Sequence, residues 1–253
     1  MRASTFFSLF LLLIPSQAQM QLPPTQVELN THNHVVVRGS ITEQVADNFI
    51  KDLMLKNPQY VYISSNGGSV MAGNRMITHM ANRNLTCIVD RAYSMAFVIL
   101  QACDVRLILP SATVMQHQQS LGIRGDLMAI SAYLDMVHAM EQHLTKMQAD
   151  KIGMPLDEFQ TRTNTDWWLF GQDIIDYGIA DSTVGVTCSE ELLKSTMTVT
   201  QDSFFFIIRS VYSGCPLLNR PLEQEMIEYL HKDMEHNTSK DETFYTHATI
   251  EDF

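Results

Sequence analysis

The chain has 253 residues, of which 45% are hydrophobic and 18% charged. This composition predicts a globular protein with one main domain and excludes the disordered and fibrous classes. With a formal net charge of −11 at pH 7, the chain lacks the basic surface that binds a phosphate backbone. We therefore expect no nucleic-acid partner.

Residues 1–18, MRASTFFSLFLLLIPSQA, are typical of a signal peptide. Arg2 gives the positive end, Phe6 to Ile14 form an apolar core, and Ser16-Gln17-Ala18 resembles a cleavage site. The apolar run is too short to span a bilayer. The sequence thus predicts an exported protein, periplasmic or secreted, with no stable membrane span. An uncleaved anchor, an organelle transit sequence and a cytoplasmic location are the alternatives.

After a spacer at residues 19–34, short β-rich segments alternate with longer amphipathic ones. This pattern is typical of an α/β fold, in which crossover helices join parallel strands. The predicted strands are Val35 to Arg38, Tyr60 to Ser64, Thr86 to Asp90, Arg106 to Leu109 and Thr113 to Gln116, and the helices between them are Glu43 to Lys56, Val70 to Asn82 and Ser94 to Ala102.

A longer helix is predicted from about Asp126 to Asp150, with a broad apolar face. This face has two interpretations. It packs on its own domain, or the helix projects and buries the face against a second subunit.

The remaining segments carry less information. A further helical piece leads to Asn164, and a short helix from Gly171 to Tyr177 ends at Gly178. The domain at residues 35–186 ends near Val186, and residues 187–253 form a C-terminal extension without an interpretable motif.

The four cysteines show no C-x-x-C pair and no zinc-like spacing with histidine, so no structural metal is expected. Cys87 and Cys103 lie in apolar segments and are predicted to be buried core thiols. Cys188 and Cys215 flank the start of the extension, and their pairing is a hypothesis that depends on export.

Ser94 follows the strand that ends at Asp90 and opens a helix, which places it at the carboxyl end of a strand. Ala92 and Ala96 occupy the two positions where the G-x-S-x-G nucleophile elbow has glycines. A serine at a helix start is most often only an N-cap. Ser94 alone therefore does not establish a nucleophile.

His117 follows the predicted strand Thr113 to Gln116 and is expected at the same edge of the sheet as Ser94. A serine hydroxyl needs an adjacent base to act as a nucleophile, and the base needs a third group that holds its tautomer. Asp166 precedes a Trp pair that predicts a partly buried position, so it is the preferred carboxylate over Asp90 and Asp104.

Gly67 and Gly68 lie between a strand and a helix, where their backbone N–H groups are accessible. The segment has neither the lysine of a P-loop nor a G-x-G-x-x-G pattern, so phosphate binding is a weak interpretation. An oxyanion is the better one, with the N–H of Met95 as the second donor.

Four segments resemble the proteolytic subunit of the Clp protease, peptidase family S14. They are YVYISSNGGSVMAG, AYSMAFVIL, LPSATVMQHQQ and TDWWLFGQDIIDYGIAD, in the family's order and at compatible spacing. The resemblance extends from about Val35 to Val186 and implies the ClpP/crotonase fold, a repeated β-β-α superhelix with a projecting handle helix. Residues 125–150 match that helix, which interlocks two heptameric rings in the family.

The resemblance also implies site residues and partners. Ser94 matches the nucleophile, His117 the general base and Asp166 the third member, with the N–H groups of Gly68 and Met95 as the oxyanion hole. It implies a serine endopeptidase that acts on peptides or unfolded proteins, forms a homo-oligomeric ring or double ring, works with an AAA+ unfoldase and uses no metal or organic cofactor.

Three departures from the family pattern bear on these expectations: Asn66 and Gln119 replace prolines, and Thr165 replaces an arginine that links two rings. Export would separate the chain from a cytoplasmic unfoldase. The alternatives are a signal-peptide-peptidase-like exported serine peptidase, which would use a lysine base, and an inactive scaffold subunit of a mixed ring. A crotonase-type acyl-CoA enzyme shares the fold but would not need the three residues together.

Overall fold

A computed structural model describes residues 25–202 and 206–228. The predicted signal peptide, residues 1–18, lies outside these ranges. The strands are β1 (Gln26–Leu29), β2 (His34–Ile41), β3 (Tyr60–Gly68), β4 (Thr86–Tyr93), β5 (Val105–Gln116), β6 (Trp167–Phe170), β7 (Ser182–Thr183), β8 (Gly185–Cys188), β9 (Thr196–Asp202), β10 (Phe206–Ser213) and β11 (Glu223–Glu228). The helices are α1 (Glu43–Lys56), α2 (Val70–Met80), α3 (Met95–Gln101), α4 (Leu127–Ile152), α5 (Leu156–Thr163), α6 (Gln172–Asp176) and α7 (Glu190–Lys194).

The main sheet has the strand order β2-β3-β4-β5-β6, with β7 paired to β5. The strands β2 to β5 run parallel and are joined by α1, α2 and α3, while β6 is antiparallel to β5. Short apolar strands alternating with amphipathic helices produce this arrangement because each crossover helix buries its apolar side on the sheet. The predicted α/β class is confirmed.

One prediction about strands is wrong. The two strands predicted at 106–109 and 113–116 are a single strand, β5. Its pairing with β4 jumps from Val89 opposite Ile108 to Arg91 opposite Thr113, so the residues around Pro110 bulge out of the ladder. A proline has no N–H to donate, and a bulge accommodates it without ending the strand.

Both faces of the sheet are covered. On one face, α1, α2 and α3 bury the larger apolar cluster, which includes Val37, Phe49, Ile63 and Phe97. On the other face, Tyr62, Ile88 and Leu107 pack against β1, β8 and α7. A strand that is buried on both faces needs the continuous apolar runs that the sequence shows.

The segments on either side of the predicted domain are part of this second layer. Residues 26–29, expected within a spacer, form β1, which pairs in parallel with β8 and buries Val27 and Leu29. The extension forms an antiparallel sheet in the order β11-β10-β9. A disulfide between Cys188 and Cys215, with Cα atoms 5.9 Å apart, fastens this sheet to β8, as the pairing hypothesis expected.

The prediction that Cys87 and Cys103 are thiols is wrong. Both side chains are buried, but their sulfur atoms are bonded in a disulfide with Cα atoms 5.8 Å apart. Cys87 lies in β4 and Cys103 follows α3. Because α3 is short, the chain returns to the sheet close to the strand that it left.

The helix α4 packs on the domain through its C-terminal half, where Leu144, Gln148 and Ala149 are buried and Met140 contacts the core. Toward its N-terminus the apolar side chains Leu127 and Met128 are about four-fifths exposed, at 81% and 80%. Of the two interpretations of its apolar face, the structure therefore favours the projecting helix.

Candidate active site

Ser94 lies at the junction of β4 and α3 with φ of 52° and ψ of −121°. A non-glycine residue at positive φ is strained by about 1–3 kcal/mol and persists only where its surroundings fix it. Here the Ser94 N–H donates to the carbonyl of Met115 at 2.9 Å, and Ala92 and Ala96 are fully buried on either side. Ser94 occupies the N-cap position of α3, but within the described residues its side chain makes no capping hydrogen bond, so its hydroxyl does not cap the helix.

His117 lies next to Ser94, as the strand-end argument predicted. Tyr93 pairs with Met115, so the residues that follow β4 and β5 leave the sheet together. The Nε2 atom of His117 is 2.9 Å from Ser94 Oγ. With the imidazole proton assigned to Nδ1, the serine hydroxyl donates to Nε2, which is the arrangement of a nucleophile and its base.

Asp166 is the third predicted residue, and its Oδ1 atom lies 3.9 Å from Nδ1 of His117. This distance is longer than a hydrogen bond. The Asp166 side chain is 60% exposed, so the prediction of a partly buried carboxylate is wrong. The aromatic pair that suggested burial alternates along β6: Trp167 is buried, whereas Trp168 is exposed and contacts Tyr93 edge-on at 4.8 Å.

The segments that carry His117 and Asp166 are tied to each other. The Gln118 N–H donates to the carbonyl of Thr163 at 3.0 Å, and the Gln118 side chain donates to Asn164 Oδ1 at 2.6 Å. The two competing carboxylates are engaged elsewhere. Asp90 accepts the Ser64 hydroxyl, and Asp104 accepts the N–H of Leu85.

The glycine pair packs directly on the Ser94 turn. Gly67 has φ of 93°, and a Cβ atom there would lie 3.0 Å from the nitrogen of Met95. The Gly67 N–H donates to Ser65 Oγ at 3.1 Å, so it is not available to an oxyanion. Gly68 has φ of 139°, and a Cβ atom there would lie 2.4 Å from the carbonyl oxygen of Ile41. Only glycine fits at these two positions.

A cavity of about 880 Å³ opens beside Ser94. It is lined by strand ends, by the base of α4 and by α5, through residues that include Gly68, Met95, His117, Leu144 and Phe159. Met95 is the first residue of α3, so its N–H has no acceptor within the helix. The structure thus brings the two predicted oxyanion donors and the Ser94–His117 pair to one cavity.

Two further polar residues of this cavity were not predicted from the sequence. Gln116 and Gln148 are both buried, and the carboxamide of one donates to that of the other. A signal was present, because Gln116 continues the inward-facing side of β5 after Ala112 and Val114, where an apolar residue is expected.

Across residues 25–202 and 206–228, no group of three or more His, Cys, Asp or Glu side chains is arranged to hold a metal ion. In the same part of the chain, no helix has the length and hydropathy needed to cross a membrane.

The Clp protease family model matches residues 19–187, which is more than half of the 253 residues. The match includes every residue that lines the cavity and begins before β1. Members of this family are serine-type peptidases that assemble into oligomers and act on protein substrates. The chain therefore belongs to the Clp protease family.

Proposed function

We propose that the chain is a ClpP-like serine endopeptidase in which Ser94, His117 and Asp166 form the catalytic triad. The observation that carries this proposal is the 2.9 Å contact between Ser94 Oγ and His117 Nε2 at the carboxyl edge of the sheet. A hydroxyl with a base at this distance becomes a nucleophile when the base takes its proton.

The reaction follows from this arrangement. Ser94 Oγ attacks the peptide carbonyl carbon while His117 Nε2 takes the hydroxyl proton. The tetrahedral oxyanion is stabilised by the N–H groups of Gly68 and Met95. The intermediate collapses, the C–N bond breaks, and Nε2 returns the proton to the leaving amine. Water then hydrolyses the acyl ester by the same proton transfers, which regenerates Ser94.

We assign to Asp166 the stabilisation of the His117 imidazolium that forms during each proton transfer. At 3.9 Å and 60% exposure, its carboxylate stabilises the positive ring mainly through charge. A shift of about 1 Å would bring Oδ1 within hydrogen-bond distance of Nδ1.

We also propose that the active form is an oligomeric ring, single or double. The support is the projecting part of α4, whose exposed apolar side chains include Leu134 and Met136. Several exposed apolar side chains on one projecting helix are typical of a subunit contact. The remaining family partner, an AAA+ unfoldase, stays a hypothesis.

Export to the periplasm or the outside is the proposed location. Besides residues 1–18, the support is the two disulfides, Cys87–Cys103 and Cys188–Cys215, because such bonds persist in oxidising compartments.

Two alternatives are less well supported. A lysine-dependent exported peptidase would need a lysine beside Ser94, and among the described residues the cavity is lined by His117 and by no lysine. An inactive scaffold subunit would not need the close Ser94–His117 contact.

The test is labelling of the purified chain with a fluorophosphonate probe, which acylates an activated serine. We expect the wild type to be labelled, and Ser94→Ala and His117→Ala to lose labelling while their thermal unfolding is unchanged. Ser111→Ala, at an exposed serine of β5, is the control and should label normally. Undiminished labelling of Ser94→Ala would refute the assignment. If the chain is instead purified together with a second ring subunit, labelling of that subunit alone would identify this chain as a scaffold.

A further inference from the structure

Two buried carboxamides form part of the wall of the cavity beside Ser94. Gln116 lies at the end of β5 and Gln148 lies near the base of α4, with exposed fractions of 5% and 3%. The Nε2 group of Gln116 donates to Oε1 of Gln148. Because His117 directly follows Gln116, the pair lies at the reacting end of the cavity.

Backbone groups fix the orientation of both carboxamides. The N–H of His117 donates to Gln116 Oε1 at 3.1 Å, and a backbone N–H can only donate. At the other end, Gln148 Nε2 donates to the carbonyl of Leu144 at 3.0 Å, and a carbonyl can only accept. The oxygen and nitrogen positions of both side chains therefore follow from the hydrogen bonds.

Among the described residues, this orientation leaves each carboxamide with one spare donor. Each carboxamide has two N–H bonds, and the contacts above use one of each pair. Both oxygens already accept a hydrogen bond. A buried donor without an acceptor costs about 1–3 kcal/mol, so a bound group that accepts hydrogen bonds is favoured here over an apolar one.

The negative charge of the cavity favours a neutral hydrogen-bond acceptor over a charged one. Glu141 and Asp157 also line it, and the chain carries a formal net charge of −11. A carboxylate side chain would be repelled by these groups and would lose its hydration on entering the cavity. A neutral carbonyl oxygen satisfies the donors without this cost.

We propose that the Gln116–Gln148 pair makes the cavity selective for Gln or Asn at P1, the substrate residue whose carbonyl carbon Ser94 attacks. This specificity rests on the proposed peptidase function. A Leu side chain at P1 leaves the spare N–H groups without acceptors, whereas a carboxamide side chain supplies one.

The first experiment measures binding without turnover, in the Ser94→Ala background. Two fluorescent peptides that differ only in Gln or Leu at P1 are titrated and followed by anisotropy. We expect the Gln peptide to bind about tenfold more tightly, which corresponds to roughly one additional hydrogen bond. Equal or tighter binding of the Leu peptide would overturn the proposal, whether or not the wild type hydrolyses any peptide.

The second experiment adds Gln116→Leu and Gln148→Leu together, which replaces the polar pair by two apolar side chains. We expect the preference to reverse in favour of the Leu peptide. Gln172→Leu, at an exposed position on α6, is the matched control and should keep the original preference. An unchanged preference in the double variant contradicts the proposal. If that variant does not fold, the comparison of the two peptides in the Ser94→Ala background decides the proposal by itself.

Hydrolysis of the same two peptides by the wild type separates this inference from the proposed function. If the Gln peptide binds more tightly but no Ser94-dependent hydrolysis is found, the proposed peptidase function is refuted. The preference of the Gln116–Gln148 pair for a carboxamide side chain then still stands. Hydrolysis of the Leu peptide with a higher kcat/KM than the Gln peptide would retain the peptidase and refute the selectivity.

Discussion

A Cβ atom on Gly67 would lie 2.8 Å from the Cβ atom of Ser94 and 2.6 Å from the carbonyl oxygen of Tyr93. The end of β3 therefore packs against the turn that holds Ser94 at positive φ. The turn at Gly67 and the turn at Ser94 pack against each other, so a substitution in one turn should alter the geometry of the other.

Gly67→Ala should strongly reduce fluorophosphonate labelling and lower the free energy of unfolding. The added methyl group collides with backbone atoms, and an alanine at φ of 93° is strained in addition. Gly39→Ala is the matched control, because Gly39 also has positive φ, 69°, but no described atom lies within 4 Å of its Cβ position. That control should cost only about 1–2 kcal/mol and keep labelling. Equal loss of labelling in both variants would show that the packing on Ser94 is unimportant.

Asp166→Asn should lower kcat/KM for peptide hydrolysis by about a hundredfold, since the imidazolium loses its carboxylate. The variant should unfold at the same temperature as the wild type because Asp166 is exposed. Steady-state kinetics beside thermal unfolding provides the check. Wild-type kinetics in this variant would remove Asp166 from the triad.

Removal of the Cys188–Cys215 bond by a double substitution to serine should lower the free energy of unfolding by about 2–4 kcal/mol. Labelling of Ser94 should persist, because the bond fastens the C-terminal sheet on the face opposite α3. Urea unfolding monitored by circular dichroism measures the change. Thiol titration of the denatured, unreduced wild type should find none of the four cysteines reactive, and any reactive pair would contradict the corresponding bond.

His34 should make the protein less stable in mild acid. Its ring is buried and its Nδ1 lies 2.7 Å from the carbonyl oxygen of Asn30. Burial is the main cause that lowers the pKa of His34 below its ordinary value of 6.5, and Lys56 lowers it further. Near pH 6.5 His34 therefore binds a proton in the unfolded chain but not in the folded chain. The free energy of unfolding decreases as the pH falls from 6.5 toward the folded pKa of His34.

His34→Gln keeps a donor for Asn30 but does not titrate. Urea unfolding at about pH 7.5 and about pH 5.5 should show a smaller loss of stability in this variant than in the wild type. The same loss in both proteins would mean that another group controls the acid sensitivity.

Leu134→Glu should shift the assembled protein toward smaller species, because a carboxylate on the projecting part of α4 cannot be buried in an apolar contact. Light scattering after size exclusion measures the mass. Asp135→Ala, at the exposed neighbouring position, is the control and should leave the mass unchanged.

The sequence by itself determined the α/β class, most of the strand and helix positions, and the family to which the chain belongs. These properties depend on local patterns: the alternation of apolar strands with amphipathic helices, and short motifs around the glycine pair, Ser94 and His117. The proximity of Ser94 and His117 was also predictable, because the carboxyl ends of neighbouring parallel strands meet at one edge.

Only the tertiary structure decided the features that depend on contacts between distant segments. The Cys87–Cys103 bond follows from how the short helix α3 returns the chain to the sheet. The exposure of Asp166 follows from the alternation of Trp167 and Trp168 in a strand that local sequence did not predict. Pairing of Gln116 with Gln148 joins β5 to α4, and hydrogen bonds across such distances are set by packing rather than by periodicity.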